Sequence, residues 1–362
     1  RSKMPSNPNH DSTSFLIGIK QHSHGWLTVL APIALTLTVA TLALAHGAAD
    51  IPVWTVMKII ASKIAQIDAV QSWPNSWETI VWNIRLPRVI AAMLIGCSLA
   101  IAGGTYQGLF RNPLADPYLI GVASGAGLAA TIVLISPIPS TVNGVSLLTP
   151  IAFTGAMIAV GLTYSVARTN RAIPVTTLVL AGVAIAFLGS ATTTFLMLVV
   201  SSNVRPILTW LLGGFTAISW IDVAWILPYL IPSIIIILLH ARTLNILQLG
   251  EEQAQRLGIN VERTKVILVV SASLATAAAV SVSGMIGFVG LIAPHSVRLI
   301  YGSDHRLVLP LSCVVGAILM VLSDLLARTI ISPEEIPVGI ITAFLGAPFF
   351  LYLLRYNNRG NS

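Results

Sequence analysis

The feature that most constrains this chain is a series of apolar runs, each long enough to cross a membrane as a helix. A transmembrane helix needs about 20 consecutive apolar residues to span roughly 30 Å of hydrocarbon. The mean hydropathy is +0.86 and 9% of the residues are charged, against about 25% in globular chains. The sequence therefore predicts an all-α, polytopic membrane protein with about ten transmembrane helices, near residues 26–45, 86–106, 118–136, 150–168, 176–200, 222–240, 265–284, 286–301, 307–329 and 336–354.

The same runs predict the domain organisation. Residues 1–25 form a polar N-terminal tail, residues 26–355 the transmembrane domain, and residues 356–362 a C-terminal tail. If ten helices cross the membrane, most Lys and Arg residues lie on the side of the N-terminus, so the positive-inside rule places both tails in the cytoplasm. The net charge of +7 is scattered over short loops, which favours a protein surrounded by membrane lipid over one that binds nucleic acid.

One polar interruption, residues 250–265, stands out between two apolar runs. Glu251 to Leu257 consists of good helix formers and lies between Gly250 and Gly258, which favour chain reversal. A short helix held outside the bilayer offers a surface for a partner protein. The alternative is a solvated connector with no partner.

Several short motifs occur in order: Arg85-Leu-Pro-Arg88, Gln107-Gly-Leu-Phe-Arg-Asn-Pro-Leu-Ala-Asp-Pro117, Trp210-Leu-Leu-Gly-Gly214, Leu249-Gly-Glu-Glu-Gln-Ala254 and Gly287-Phe-Val-Gly-Leu291. This series resembles the FecCD-type permeases, the membrane subunits of type II ABC importers for iron–siderophore complexes, haem and cobalamin. The resemblance covers about residues 26–355. It implies the type II ABC importer permease fold, a second permease subunit (identical or paralogous), two ABC ATPase subunits and a soluble extracytoplasmic binding protein.

The resemblance also implies a role for three arginines. Arg85, Arg88 and Arg328 match the extracytoplasmic arginines that receive glutamates of the binding protein. Guanidinium forks bind carboxylates bidentately, and long-range attraction guides docking. The alternative is that these side chains extend to lipid headgroups. Asp324, four residues before Arg328 on the same helical face, is expected to neutralise and orient that arginine.

Two further segments match functional parts of the family. The loop at about residues 247–265 matches the coupling loop that contacts the ATPase, with Gly250, Glu251, Glu252, Arg256, Leu257 and Gly258 as the expected contact residues. The cytoplasmic gate of the translocation path is matched by Asn112, Leu114, Val175 and Thr176. Uncharged side chains suit a gate that closes without binding a bulky cargo.

No phosphate-binding Gly-x-x-x-x-Gly-Lys-Ser/Thr motif and no catalytic group of residues occurs in the sequence. We therefore predict a transport subunit that is not an enzyme and binds no metal or other cofactor, with ATP and Mg²⁺ held by the separate ATPase. The favoured cargo is an iron–siderophore complex, and cobalamin or haem is the alternative. A secondary transporter would need acidic residues near the bilayer midplane, where only Asp324 comes close.

Overall fold

The computed structural model describes residues 27–47, 49–65, 73–137, 141–142, 145–168, 174–200 and 204–359. The predicted N-terminal tail and the last three residues of the C-terminal tail lie outside these ranges. The described residues are almost entirely helical, apart from a two-residue antiparallel pair in which Thr141 is opposite Ser146 and Val142 opposite Val145. This confirms the predicted all-α class.

The helices follow each other along the chain with short connections. Residues Ile80–Arg85 form a π-helical stretch that runs directly into α4, and residues Pro117–Ile120 form a single 3₁₀ turn before α5. The α-helices are α1 (Leu27–Ala45), α2 (Val53–Ala65), α3 (Asn75–Thr79), α4 (Leu86–Phe110), α5 (Val122–Ile135), α6 (Leu148–Ala167), α7 (Val175–Val199), α8 (Arg205–Leu211), α9 (Trp220–Leu239), α10 (Ala241–Leu247), α11 (Glu251–Arg256), α12 (Val261–Ser283), α13 (Val289–Tyr301), α14 (His305–Thr329) and α15 (Val338–Arg359).

A helix lies at each of the ten predicted spans, but the spans are not equivalent. By length and composition, six helical segments of the described chain can cross a membrane: the α3–α4 segment, α6, α7, α9, α12 and α14. Parts of α1, α5 and α15 are apolar but shorter. The predicted span at 286–301 corresponds to α13, which has 13 residues and extends about 20 Å at 1.5 Å per residue. Helix α5, with 14 residues, is about as short.

The break before α13 begins at Gly284. Gly284 adopts a φ of +71° at the end of α12, and a Cβ there would lie 2.1 Å from the carbonyl oxygen of Trp210. The chain then has no regular secondary structure until α13 begins, which frees backbone groups that need partners inside a membrane protein. The Tyr118 hydroxyl supplies them, because it donates to the Ile286 carbonyl at 2.9 Å and accepts from the Ile286 N–H at 3.1 Å.

Helix α4 lies at the centre of the bundle and packs against α12, α13 and α14. Its backbone touches two of these helices directly: a Cβ on Gly96 would lie 2.2 Å from the Gly316 carbonyl oxygen, and one on Gly103 would lie 2.0 Å from that of Gly290. Small residues permit such close packing where lipid provides no hydrophobic drive for helices to associate.

The bundle has two polar ends, separated by the length of α4. Arg88 and Gly108 are 20 positions apart in the sequence, which corresponds to about 30 Å along a helix. We call the end that contains Arg85, Arg88 and Arg328 the arginine end, and the end that contains α10 and α11 the coupling end.

Candidate functional site

At the arginine end, Arg85 holds the C-terminus of α1. One terminal nitrogen, Nη1, donates to the carbonyl oxygens of Leu44 and Ala45 at 2.8 and 2.9 Å, and Nη2 donates to that of Ala49 at 2.5 Å. The last carbonyl groups of a helix have no partner within it, and a basic side chain can satisfy them. Arg85 is 5% exposed, so it caps α1 from inside the bundle.

Arg328, on α14, also donates to carbonyl groups at the C-terminal end of α1. Its Nη1 donates to the His46 carbonyl oxygen at 2.9 Å, and its Nη2 donates to the Ala43 carbonyl oxygen. Gly47 lies between this side chain and Arg85, and a Cβ on Gly47 would be 2.7 Å from Nη2 of Arg85. The lack of a side chain at Gly47 therefore allows both guanidinium groups to reach the turn after α1.

Arg88 is the member of the set that is bound by carboxylates. Its Nε donates to Oδ1 of Asp324 at 2.9 Å, and its Nη2 forms an ion pair with the same oxygen at 2.8 Å. Its Nη1 donates to the two oxygens of Glu335 at 2.9 and 3.0 Å. The predicted ion pair of Asp324 with Arg328 is present, with Asp324 Oδ2 and Arg328 Nε 3.5 Å apart, but no hydrogen bond joins these two atoms. Asp324 mainly holds Arg88, whose side chain reaches it across the helix interface.

The structure brings the three predicted arginines together but buries them, each with 7% or less of its surface exposed. Each guanidinium group already donates to acceptors within the chain, although Nε of Arg328 is buried without a hydrogen bond. Docking through these arginines remains a prediction, and it requires a partner carboxylate to replace an internal acceptor. Glu335 is the most accessible acceptor, because its side chain is 32% exposed while that of Asp324 is fully buried.

At the coupling end, α11 is the short helix that the sequence predicts. Gly250 and Gly258 bound it with φ values of +115° and +83°, a backbone conformation that glycine adopts without strain. Ala254 faces the bundle and is fully buried, whereas Leu257 is 63% exposed just beyond the helix. Glu252 and Arg256 are also exposed. The outer surface of α11 and the residue after it therefore presents one negative charge, one positive charge and the apolar side chain of Leu257.

Glu251 has an internal partner instead. Its Oε2 accepts from Nζ of Lys265 at 2.8 Å, and Lys265 also donates to Oε1 of Glu262 at 3.1 Å. Lys265 is 5% exposed. Glu251 therefore helps to fix α11 on α12.

The predicted gate residues lie at the coupling end. Asn112 and Leu114 follow the C-terminus of α4 in an exposed turn, where Asn112 Oδ1 accepts from the Leu114 N–H at 2.9 Å. Val175 begins α7 beside Phe110, around a small apolar pocket that Lys265 also lines, and the next residue, Thr176, is exposed. The turn after α4 and the start of α7 are thus neighbours.

Sequence reasoning missed a polar network that begins before residue 247. On α10, Asn245 donates to Oδ1 of Asp304 at 2.7 Å and accepts from the His305 backbone N–H at 2.9 Å. Gln248, which directly follows α10, donates to the Gly108 carbonyl oxygen at 2.6 Å. Hydrogen bonds from Arg306 hold the pKa of Asp304 well below its usual range. The signal in the sequence that could have indicated this network is the spacing of the two amide side chains, Asn245 and Gln248, which are three positions apart and so lie on one helical face.

Comparison with known proteins agrees with this arrangement. The FecCD transport family matches residues 35–356, a range that includes all three arginines, α11 and the gate residues. The chain belongs to the FecCD transport family. It is therefore a multipass membrane permease subunit of the ABC importer class, and such subunits are not themselves enzymes.

Three curated relatives show the breadth of this family. The chain is 44% identical over 330 residues to the cobalamin import system permease protein BtuC of Halobacterium salinarum, covering 91% of this chain and 86% of the relative. It is 39% identical over 289 residues to the hemin transport system permease protein HmuU of Yersinia pestis, covering 78% and 86%. It is also 39% identical over 286 residues to the Fe(3+)-citrate import system permease protein YfmE of Bacillus subtilis, covering 79% and 84%.

Two solved structures are similar to the fold. A metal-chelate type ABC transporter in an inward-facing conformation matches with a TM-score of 0.77 and 28% identity, over 90% of this chain and 98% of that one. PsaBC from Streptococcus pneumoniae matches with a TM-score of 0.53 and 18% identity, over 82% and 94%, which shows the fold alone. The predicted type II ABC importer permease fold is confirmed.

Proposed function

We propose that this chain is the membrane subunit of an ATP-driven importer that takes a metal chelate from a soluble binding protein and moves it into the cell. The observation that carries this proposal is the FecCD family match across a bundle with clustered arginines at one end and a short exposed helix at the other. The arginine end then faces outward, and both termini are cytoplasmic. A second permease subunit completes the translocation path.

At the arginine end, the binding protein docks through a carboxylate that takes the place of Glu335 on Arg88. Nη1 of Arg88 is the only nitrogen of that guanidinium that faces Glu335, while Nε and Nη2 face the fully buried Asp324. An exchange at Nη1 keeps the buried ion pair and replaces one half-exposed carboxylate by another. Such an exchange avoids leaving a buried charge unpaired, which would be costly.

At the coupling end, two ATPase subunits, which carry ATP and Mg²⁺, contact α11 of the two permeases. The exposed side chains of Glu252, Arg256 and Leu257 are the contact residues, and Leu257 provides the apolar centre that stable protein contacts commonly have. ATP binding and hydrolysis then open and close the gate formed by the turn after α4 and the start of α7.

The cargo class is a metal chelate, and two candidates follow from different observations. An iron–siderophore complex is the cargo that the sequence predicts, and the relative named for Fe(3+)-citrate import supports iron. Cobalamin is the second candidate, because the relative with 44% identity over 91% of the chain is named for cobalamin import.

The test is uptake into proteoliposomes that contain this chain, its ATPase subunit and its binding protein. Ferric siderophore, haem and cobalamin are compared, each with ATP, without ATP and with an ion gradient alone. ATP-dependent uptake of one chelate supports the proposal and identifies the cargo. Uptake driven by the ion gradient without the ATPase contradicts it.

Docking is tested separately with Glu335→Gln, because reversal of the buried arginines would also disturb α1. We expect Glu335→Gln to bind the binding protein about five-fold more tightly, a change of about 1 kcal/mol, since a neutral amide competes less for Arg88. The matched control is Glu334→Gln, which makes the same charge change at the neighbouring exposed position. Equal affinity of the two variants would contradict docking at Arg88.

A further inference from the structure

Helices α4 and α14 form one rigid unit along the bundle. Within the described residues, no two helices share a more extensive contact. At its middle the two backbones touch: a Cβ on Gly316 would lie 2.4 Å from the Gly96 carbonyl oxygen and 2.6 Å from the Cβ of Ala100. Close-packed interfaces of this kind move as a unit, because they cannot deform continuously.

The unit is joined at the arginine end by the buried ion pair of Arg88 on α4 and Asp324 on α14. Arg88 is also the residue whose Nη1 faces the half-exposed Glu335. A partner that binds at this point therefore contacts the end of the α4–α14 unit directly.

At the coupling end, the same two helices are joined by α10. The Gln248 amide donates to the carbonyl oxygen of Gly108 near the end of α4, at 2.6 Å. The Asn245 side chain holds the start of α14 by three contacts: 2.7 Å to Asp304 Oδ1, 2.9 Å to the His305 backbone nitrogen and 2.7 Å to Nδ1 of His305. Gln248 directly follows the last residue of α10 and keeps a helical backbone conformation, so the two amides, three positions apart, lie on the same face.

The ends of α4 and α14 also touch each other here. A Cβ on Gly108 would lie 2.6 Å from Nε2 of His305. Beyond this point α4 leads straight into the predicted gate turn, because the Asn112 N–H donates to the carbonyl oxygen of Gln107 at 3.1 Å. Helix α10 ends at Leu247, and a short connection through Gly250 joins it to α11, which begins at Glu251.

We propose that Asn245 and Gln248 are positioning residues that fasten α10 to the α4–α14 unit, so that docking at the arginine end is transmitted to the ATPase through that unit. This inference rests on the proposed function, because it needs a binding protein at one end and an ATPase at the other. The two amides do not touch cargo or nucleotide. They set how firmly a movement of α4 and α14 is passed to α11.

The test compares ATP hydrolysis by the assembled importer in nanodiscs with and without binding protein, loaded with the chelate that the uptake assay identifies. The variant is Asn245→Leu combined with Gln248→Met, which keeps the side-chain sizes and removes the hydrogen bonds. The control is Thr243→Val on the same helix, a change of similar size outside this network. Each single variant, Asn245→Leu or Gln248→Met, removes one of the two anchors.

We expect the double variant to assemble with the ATPase and to keep its basal hydrolysis, while the stimulation by binding protein falls about five-fold or more, as coupling energies between sites predict. Each single variant should lose less, and Thr243→Val should match the wild type. Unchanged stimulation in the double variant would overturn the inference. So would loss of the ATPase subunit on purification, because the amides would then only maintain the local fold.

Failure of the proposed function would be detected in the wild-type importer, before any variant is compared. In that case the wild-type assembly itself would show no stimulation by the binding protein. The variants are compared only against a wild-type importer that does respond.

Discussion

Neutralising Asp324 should destabilise the permease more than any change of an exposed charge. The Asp324 side chain is fully buried, and its Oδ1 accepts from Nε of Arg88 at 2.9 Å and lies 2.8 Å from Nη2 of the same guanidinium. In Asp324→Asn, Arg88 keeps Glu335, and Arg328 keeps the backbone carbonyl groups that it binds at the end of α1. The excess positive charge is nevertheless left in a buried site.

Removing one partner of a buried ion pair costs about 3–5 kcal/mol. The remaining contact with Glu335 places Asp324→Asn at the lower end, about 3 kcal/mol. For a chain of 362 residues this corresponds to a fall in Tm on the order of 5 °C, because the shift per kcal/mol decreases as the protein becomes larger. The assay is thermal unfolding in detergent, followed by tryptophan fluorescence.

Two controls separate charge burial from general damage. Asp50→Asn changes a side chain that is 81% exposed and should alter stability by less than about 0.5 kcal/mol. The double variant Arg88→Met with Asp324→Leu removes both charges and should cost less than the sum of the single changes, because neither member of the Arg88–Asp324 pair is left without the other. An Asp324→Asn protein within about 0.5 kcal/mol of the wild type would refute this reasoning.

Three further changes test other parts of the structure. Gly103→Leu should prevent assembly of the folded permease, since even a Cβ there would lie 2.0 Å from the Gly290 carbonyl oxygen. The control Gly161→Ala, where an added Cβ meets nothing within 4 Å, should express normally. Detergent-soluble yield and monodispersity are measured for both variants. Asp304 has a lowered pKa, so the stability that its ionised form gives is present above about pH 4, the usual range of a free carboxyl, and is lost as the pH falls below it. The difference in Tm between wild type and Asp304→Asn should therefore be constant from pH 8 to pH 5 and shrink below about pH 4; a difference that changes between pH 8 and pH 5 would contradict this. Leu257→Glu should weaken binding of the ATPase about ten-fold or more without lowering the Tm of the permease alone. Co-purification of the two subunits at wild-type yield would argue against a contact between Leu257 and the ATPase.

Much of the fold is predictable from the sequence because its signal is local. The length of an apolar run sets whether a helix can cross the bilayer, and the observed helix bounds fall within a few residues of most predicted runs. Gly250 and Gly258 mark the ends of α11 for an equally local reason, since each adopts a positive φ. The boundary between the predicted spans at 265–284 and 286–301 is harder to predict, because a continuous apolar composition hides a backbone break whose free groups bind a distant residue, Tyr118.

The partners of the polar side chains depend on residues far apart in the sequence, so only the tertiary structure decided them. The three arginines could be assigned to one end of the bundle from the order of the helices, but their burial depends on the end of α1 and on Glu335, which is 247 positions away from Arg88. Likewise, nothing local indicates that Asn245 and Gln248 bind the ends of α14 and α4. The sequence by itself determined the helices and the order in which they cross, because burial of apolar length is a property of each segment. The tertiary structure determined which charges and amides meet, because a buried polar group takes whichever partner the packing brings within hydrogen-bond distance.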